Sequence, residues 1–195
     1  MNFRISETLS YRVLLLLVVL LSACASGHQM SQGSSANEKP ADHRATEAYR
    51  KKVELLRDDL AALNQQADLF EAGQVAETAI TYANQLIEEY QLVRPAILHN
   101  VLIRVGLKDR GLCYHWTEDL LKRLQSLDLR TYQLHWGVAH RSSELREHNS
   151  VVITARGQTF DKGMVLDPWR NSGDLYWALI KSDRYPWKEL PPSEW

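Results

Sequence analysis

Excess charge of either sign is missing from this 195-residue chain: 23 Lys and Arg stand against 24 Asp and Glu, a net charge of −1, and neither sign is clustered. Such a chain offers no basic footprint for a phosphate backbone, so no nucleic-acid partner is expected. There are no internal repeats. His115, His135, His140 and His148 are present, but none falls in a His-Glu-x-x-His or paired Cys/His spacing, so neither a metal site nor a cofactor is expected. Long apolar runs are scarce too. The one uninterrupted run is Val13–Leu21, nine residues. As a helix it rises only ~13 Å, whereas a bilayer span takes roughly 20 residues, so a stable transmembrane helix is the poorer reading. Phe is rare, with three residues, while six Trp and eight Tyr concentrate after Tyr114 and suggest an aromatic-lined core or groove in the second half. Cysteine is rarest of all: Cys24 and Cys113.

What is present at the N-terminus has the three parts of a secretory signal. Arg4 and Arg12 supply positive charge, Val13–Leu21 the apolar run, and Ser22-Ala23-Cys24-Ala25-Ser26 the small-residue stretch. Leu21-Ser22-Ala23-Cys24 resembles the bacterial lipobox. That resemblance implies removal of residues 1–23, acylation of Cys24 (palmitate-type chains among the lipids) and anchoring to a membrane by more than one chain, as stable anchoring requires. Ala25 in place of Asp points, in a Gram-negative cell, to the outer membrane facing the periplasm. An ordinary cleavable signal with a chance cysteine is the plainer alternative, and it would leave Cys24 free to pair with Cys113. From Ser26 to about Ala45 the chain is rich in Gly, Ser, Gln, Asn and Lys, with Met30 as its one sizeable apolar side chain. Residues 24–45 therefore read as a lipidated N-terminus and flexible tether. Residues 46–195 are long enough for one domain. If lipid takes Cys24, Cys113 is the lone thiol of the mature chain: reactive, bridged to another molecule, or buried and inert.

Apolar residues at Tyr49, Val53, Leu56, Leu60 and Leu63 predict an amphipathic helix from Thr46 to about Gln65. A second is predicted from about Gln74 to Leu92, separated from the first by Gly73, and a third from Pro95 to about Val105, ended by Gly106. Cys113 to about Leu127 follows, with Trp116, Leu120, Leu121 and Leu124 on its apolar side. Alternation predicts a strand over 131–138, and strand character recurs over 149–155 and 164–168, the last ended by Pro168. Asp174–Lys181 is expected as a short helix, before an aromatic, Pro-rich tail. Helices first and a small antiparallel sheet after them argue for an α+β fold.

Cysteine nucleophiles need a base and a group that orients the base. Cys113 sits at the expected start of a helix, where the dipole and free backbone N–H groups favour a thiolate and can hold an oxyanion. His148 opens one strand and Asp167 ends the next. With a turn near Gly157–Phe160 the two are close to opposite partners in a hairpin, about 5 Å apart at Cβ. The bland alternatives are a core cysteine, a loop histidine bonded to backbone, and a turn-forming Asp before Pro168.

Gly111-Leu-Cys113-Tyr-His-Trp116, Glu147-His148-Asn149-Ser-Val-Val152 and Val165-Leu-Asp167-Pro168-Trp169 resemble the transglutaminase-like superfamily of papain-type cysteine enzymes. The spacings, 35 residues from Cys to His and 19 from His to Asp, suit that core. The match covers about 106–169 and leaves the N-terminal helices unexplained. The resemblance implies a catalytic helix packed on an antiparallel sheet, with Cys113 as nucleophile, His148 as general base and acid, and Asp167 as orienting carboxylate. It gives chemistry rather than substrate, since members include proteases, amidases and peptide cross-linkers. His99 and Asn100 are the candidates for the side chain such enzymes add to the oxyanion hole, and Trp136 and Trp169 for groove walls, whereas Trp116 reads as core. The expected function is a membrane-anchored cysteine hydrolase of the cell envelope acting on a protein or cell-wall peptide. The alternative is an inactive lipoprotein using the fold for binding or assembly.

Overall fold

A computed structural model describes residues 40–143 and 145–195. The expected signal peptide, Cys24 and the expected tether as far as residue 39 lie outside the described residues. Among the described residues, four helices precede a five-stranded antiparallel sheet: α1 (Pro40–Ala61), α2 (Leu69–Glu89), α3 (Ala96–Arg104), α4 (Cys113–Gln125), β1 (Tyr132–Ala139), β2 (His148–Ala155), β3 (Met164–Asp167), β4 (Tyr176–Leu179) and β5 (Lys188–Leu190). The sheet order is β4-β3-β2-β1-β5. The fold is α+β. Among the described residues, no helix is long and apolar enough to cross a membrane.

The helices follow from spacing and caps. α2 buries Ala72, Val75, Ala76, Ala79, Ile80, Ala83 and Leu86, a stripe at helical period whose alanines let neighbouring elements approach closely. Its start is set by Asp68, whose side chain accepts from the Glu71 N–H at 2.8 Å. Gly73, expected to divide α1 from α2, lies inside α2 instead. An Asp N-cap is the stronger boundary signal, and one interior glycine costs only about 1 kcal/mol. α1 begins at Pro40, six residues ahead of the expected Thr46, because proline suits a first helical turn.

The main core joins Leu56 and Leu60 of α1, the α2 stripe, and Leu120, Leu121 and Leu124 of α4 to Val151, Ile153 and Leu166 on one face of the sheet. The opposite face packs Ala139, Val152 and Val165 against Trp187, with Phe160, Ile180 and Tyr185 around them. Both faces of β2 are thus covered, and all eight of its residues are buried.

Two expectations in the C-terminal region give way. The segment expected to be a helix from Asp174 to Lys181 contains β4, which pairs with β3 from Met164↔Leu179 to Asp167↔Tyr176. Tyr-Trp-Ala-Leu carries β-favouring aromatics, and the free edge of β3 supplies the backbone partners. The tail adds β5 to the other edge, with Trp136↔Leu190 and Val138↔Lys188. His135 of β1 fastens that addition, its ring nitrogens 2.6 Å from Glu189 Oε1 and 3.0 Å from Thr154 Oγ1.

Candidate active site

The start of α4 is held from several sides. Gly111 adopts φ +125°, and a Cβ there would lie 2.5 Å from Nε2 of His99, so both the backbone and the space demand glycine. The Trp116 indole N–H donates to the Gly111 carbonyl at 2.9 Å, and the Thr117 hydroxyl donates to the Cys113 carbonyl at 2.9 Å. Nδ1 of His115 accepts from the Gly111 and Leu112 N–H groups at 3.1 and 3.2 Å. That satisfies donors just ahead of the helix; within its first turn the His115 and Trp116 N–H groups bond to the Leu112 carbonyl at 2.9 and 3.3 Å, so those of Cys113 and Tyr114 are the ones a helix start leaves over. Burial pushes His115 below its ordinary pKa and keeps it neutral for this role, the charge of Arg110 adding to the effect. Cys113, half-buried, is the first residue of the helix so fixed.

His148 opens β2 and Asp167 closes β3. The register pairs Val151 with Leu166 and Val152 with Val165, which sets Asp167 across from Ser150 rather than from His148. The hairpin is therefore two residues out from the expected register. An even shift preserves the face, so the two side chains meet on a diagonal. His148 Nε2 lies 2.6 Å from Asp167 Oδ2, with both groups buried. The other ring nitrogen is left for Cys113. Burial alone would lower the pKa of His148. The hydrogen bond to Asp167, the hydrogen bond with the Cys113 thiol and the negative charge on both sides outweigh burial and push it up to about 9. The three residues expected to act together are brought together.

Asp167 is held in turn by Arg170. The guanidinium Nε donates to Asp167 Oδ2 at 2.9 Å and the Arg170 backbone N–H to Oδ1 at 3.1 Å. The fork of the same guanidinium grips Asp183 at 2.9 and 2.7 Å, and the Trp187 indole N–H donates to Asp183 at 2.9 Å. Tyr176 and Tyr185 stack on Arg170 with their ring centres 4.0 and 4.8 Å from its central carbon. One cation shared between two buried carboxylates is a compensated arrangement. Trp169, Tyr185 and Trp187 pack on the imidazole at 4.9, 4.9 and 5.4 Å between ring centres. Sequence reasoning missed Arg170, Asp183, Tyr185 and Trp187. A faint signal was available in Arg170 itself, a cation three residues after the candidate aspartate.

A cleft of about 440 Å³ opens beside the thiol, lined by Cys113, His148, Asn149, Asn100, Trp169 and Tyr185 among others. Ile97, Tyr114 and Leu145 on its walls are respectively 62, 44 and 78 % exposed. Cys113 Sγ lies 3.9 Å from the Glu147 carbonyl oxygen and 3.9 Å from Asn149 Nδ2.

The remaining expected site residues divide. Trp169 lines the cleft, its indole N–H donating to Asn100 Oδ1 at 3.2 Å. Trp136 is no groove wall. It is buried among the core residues of the helix-facing side, and its indole N–H donates to Asn149 Oδ1 at 2.8 Å. His99 is fully buried and occupied at both nitrogens, accepting from the Val93 N–H at 3.1 Å and donating to the Arg110 carbonyl at 2.8 Å. It staples two loops together and has no donor to spare for an oxyanion. Among the described residues, no group of three or more His, Cys, Asp or Glu is placed to hold a metal ion. No protein-family model, no curated protein and no solved structure matches the chain.

Proposed function

We propose that this domain is a cysteine hydrolase of the transglutaminase-like, papain type, cutting an amide by acyl transfer through Cys113, and that it belongs to an exported lipoprotein anchored through Cys24. One observation supports the chemistry above the rest: the buried His148 ring, 2.6 Å from Asp167, lines the same open cleft as the Cys113 thiol, and the thiol is among the groups that raise its pKa. In the first step Sγ bonds to the substrate carbonyl carbon while the thiol proton resides on the His148 nitrogen that faces it. The carbonyl π electrons move to oxygen, and first-turn N–H groups of α4 can donate hydrogen bonds to the oxyanion that forms. Collapse breaks the C–N bond, and the same imidazole hands its proton to the departing amine. Water, deprotonated by His148, then attacks the thioester, releases a carboxylate and restores the thiol. Asp167 fixes the ring and stabilises the imidazolium throughout.

Substrate class follows from location and from the walls. An anchor on the periplasmic face of the outer membrane puts envelope proteins and cell-wall peptides within reach. The exposed Ile97, Tyr114 and Leu145 around the thiol suit a polypeptide with apolar side chains near the cut. Hydrolysis is favoured over cross-linking because water is abundant and no amine-binding feature is evident in the sequence.

The test is alkylation of Cys113 by iodoacetamide at neutral pH. Labelling should be at least tenfold faster than that of a free peptide thiol and should fall to the peptide rate in His148→Ala. Peptide-like labelling that ignores His148 would sink the enzyme reading and leave a binding or assembly module.

A further inference from the structure

We infer that the side-chain amide of Asn149 is the second oxyanion donor of this site, and that Trp136 is the residue that aims it; the inference rests on the cysteine-hydrolase reading above. An amide offers an acceptor at one end and two donors at the other, and which end faces a reacting group decides whether it helps or hinders. Here the choice is forced. The indole N–H of Trp136 can only donate, and it occupies Asn149 Oδ1 at 2.8 Å. Nδ2 is thereby turned toward the cleft, 3.9 Å from Cys113 Sγ and 3.4 Å from Glu147 Oε1. Glu147 takes one of the two amide hydrogens and is itself tied down, its Oε2 accepting from the Ser142 N–H at 2.9 Å. The other hydrogen is left for the thiol side.

The topology explains how two consecutive residues both reach one sulfur. Successive side chains of a strand point to opposite faces. Asn149 shares the helix-facing side with Val151 and Trp136, while His148 belongs with Val152 on the side covered by Trp187. The start of α4 lies at the start of β2, so His148 comes to the thiol from one face and Asn149 from the other. When Sγ bonds to a carbonyl carbon, the carbonyl oxygen sits two bonds from sulfur, inside the 3.9 Å that separates Sγ from Nδ2. The Cys113 and Tyr114 N–H groups, which the start of α4 leaves without an intrahelical acceptor, can add a donor to an oxygen placed there. Of the side chains expected for this role, His99 is committed to the Val93 and Arg110 backbones, whereas Asn100 lines the cleft with its oxygen held by Trp169; of the two asparagines, Asn149 is the one whose Nδ2 is found at Sγ. In the free enzyme the same amide hydrogen faces sulfur, so nothing has to rearrange as charge moves from sulfur to oxygen.

Two small reagents that both modify Cys113 separate this role from a structural one. p-Nitrophenyl acetate acylates through a tetrahedral oxyanion, with release of p-nitrophenolate. Iodoacetamide alkylates by displacement at a saturated carbon, with iodide leaving and no oxyanion formed. Asn149→Ala should slow acylation by about 10²–10³-fold, the usual effect of losing one oxyanion donor, while alkylation slows by less than about threefold. Trp136→Phe keeps the ring but frees the amide to turn, and should slow acylation by roughly tenfold with alkylation again little changed. If Asn149→Ala fails to fold because it strands the buried indole N–H, the Trp136→Phe/Asn149→Ala double variant removes that N–H as well and must show the same selective loss. Equal slowing of both reactions, or of neither, overturns the assignment. A wild-type protein that reacts with both reagents no faster than a peptide thiol overturns the hydrolase reading itself, a result recognisable before any variant is made.

Discussion

Asp167→Asn isolates the charge on which the His148 assignment depends. Asp167 is fully buried, and its oxygens have no spare direction: Oδ2 accepts from His148 and from Arg170 Nε, and Oδ1 from the Arg170 backbone N–H. In the variant the amide should turn its oxygen to the side with two donors and its NH2 toward the Arg170 N–H. The ring is then still held and Arg170 keeps its fork on Asp183. The structural cost is one orphaned backbone donor, about 1–3 kcal/mol. The electrostatic cost is larger for the site. Raising His148 from 6.5 to about 9 against burial is worth roughly 3 kcal/mol of imidazolium stabilisation at 1.36 kcal/mol per pH unit. Asp167 supplies the largest favourable part of it. His148 followed by ¹H–¹⁵N spectra of ¹⁵N-histidine-labelled protein should titrate near 9 in the wild type and at or below 6.5 in Asp167→Asn. Iodoacetamide labelling at pH 7 should slow by roughly ten- to a hundredfold, in line with the lost ring basicity. A variant that folds and titrates where the wild type does would refute the reasoning, as would a wild-type His148 already titrating at 6.5.

Stability should carry the same signature. His148 binds its proton near 6.5 when unfolded and near 9 when folded, so its contribution is full below pH 6.5, decays as pH rises toward 9 and is absent above it. Urea unfolding should show up to about 3 kcal/mol lost across that window, with a flatter curve for Asp167→Asn; equal stability at pH 6.5 and pH 9.5 would contradict it. His115, which burial lowers, acts below pH 6.5 and leaves the window clear. Arg170→Met removes the cation shared by Asp167 and Asp183 and should cost about 3–5 kcal/mol in urea unfolding, because two buried carboxylates lose their partner; a loss under 1 kcal/mol would show that the clamp is dispensable. His99→Ala removes two buried hydrogen bonds to loop backbone and should lower unfolding stability by about 2–3 kcal/mol. Its acylation rate with p-nitrophenyl acetate, measured on the folded fraction, should stay within about threefold of wild type; a hundredfold loss there would return His99 to the oxyanion hole.

The parts legible from sequence were those with a local rule behind them. The α2 stripe and the apolar side of α4 followed from helical spacing. Cys113, His148 and Asp167 stood out because a lone thiol, a strand start and a strand end occurred in mechanistic order. Their meeting survived a two-residue error in register, since an even shift keeps the face. What escaped depended on the tertiary arrangement. β4 and β5 exist because β3 and β1 present open edges, and their own residues carry no strong alternation. Arg170 and Asp183 are neighbours only after the chain loops through β4. Alternation put Trp136 on the correct strand, but nothing local says that its face is the core rather than the cleft. For His99 the partners arrive from Val93 on one side and Arg110 on the other.

In the proposed chemistry Cys113 forms a covalent acyl intermediate with His148 as its base. Intact-mass measurement during incubation with p-nitrophenyl acetate at pH 7 tests it most directly. One acetyl group, mapped to Cys113, should appear in the wild type at least tenfold faster than on a free peptide thiol and at no more than the peptide rate in His148→Ala. Acetylation of the wild type at the His148→Ala rate, or on any residue other than Cys113, would contradict it.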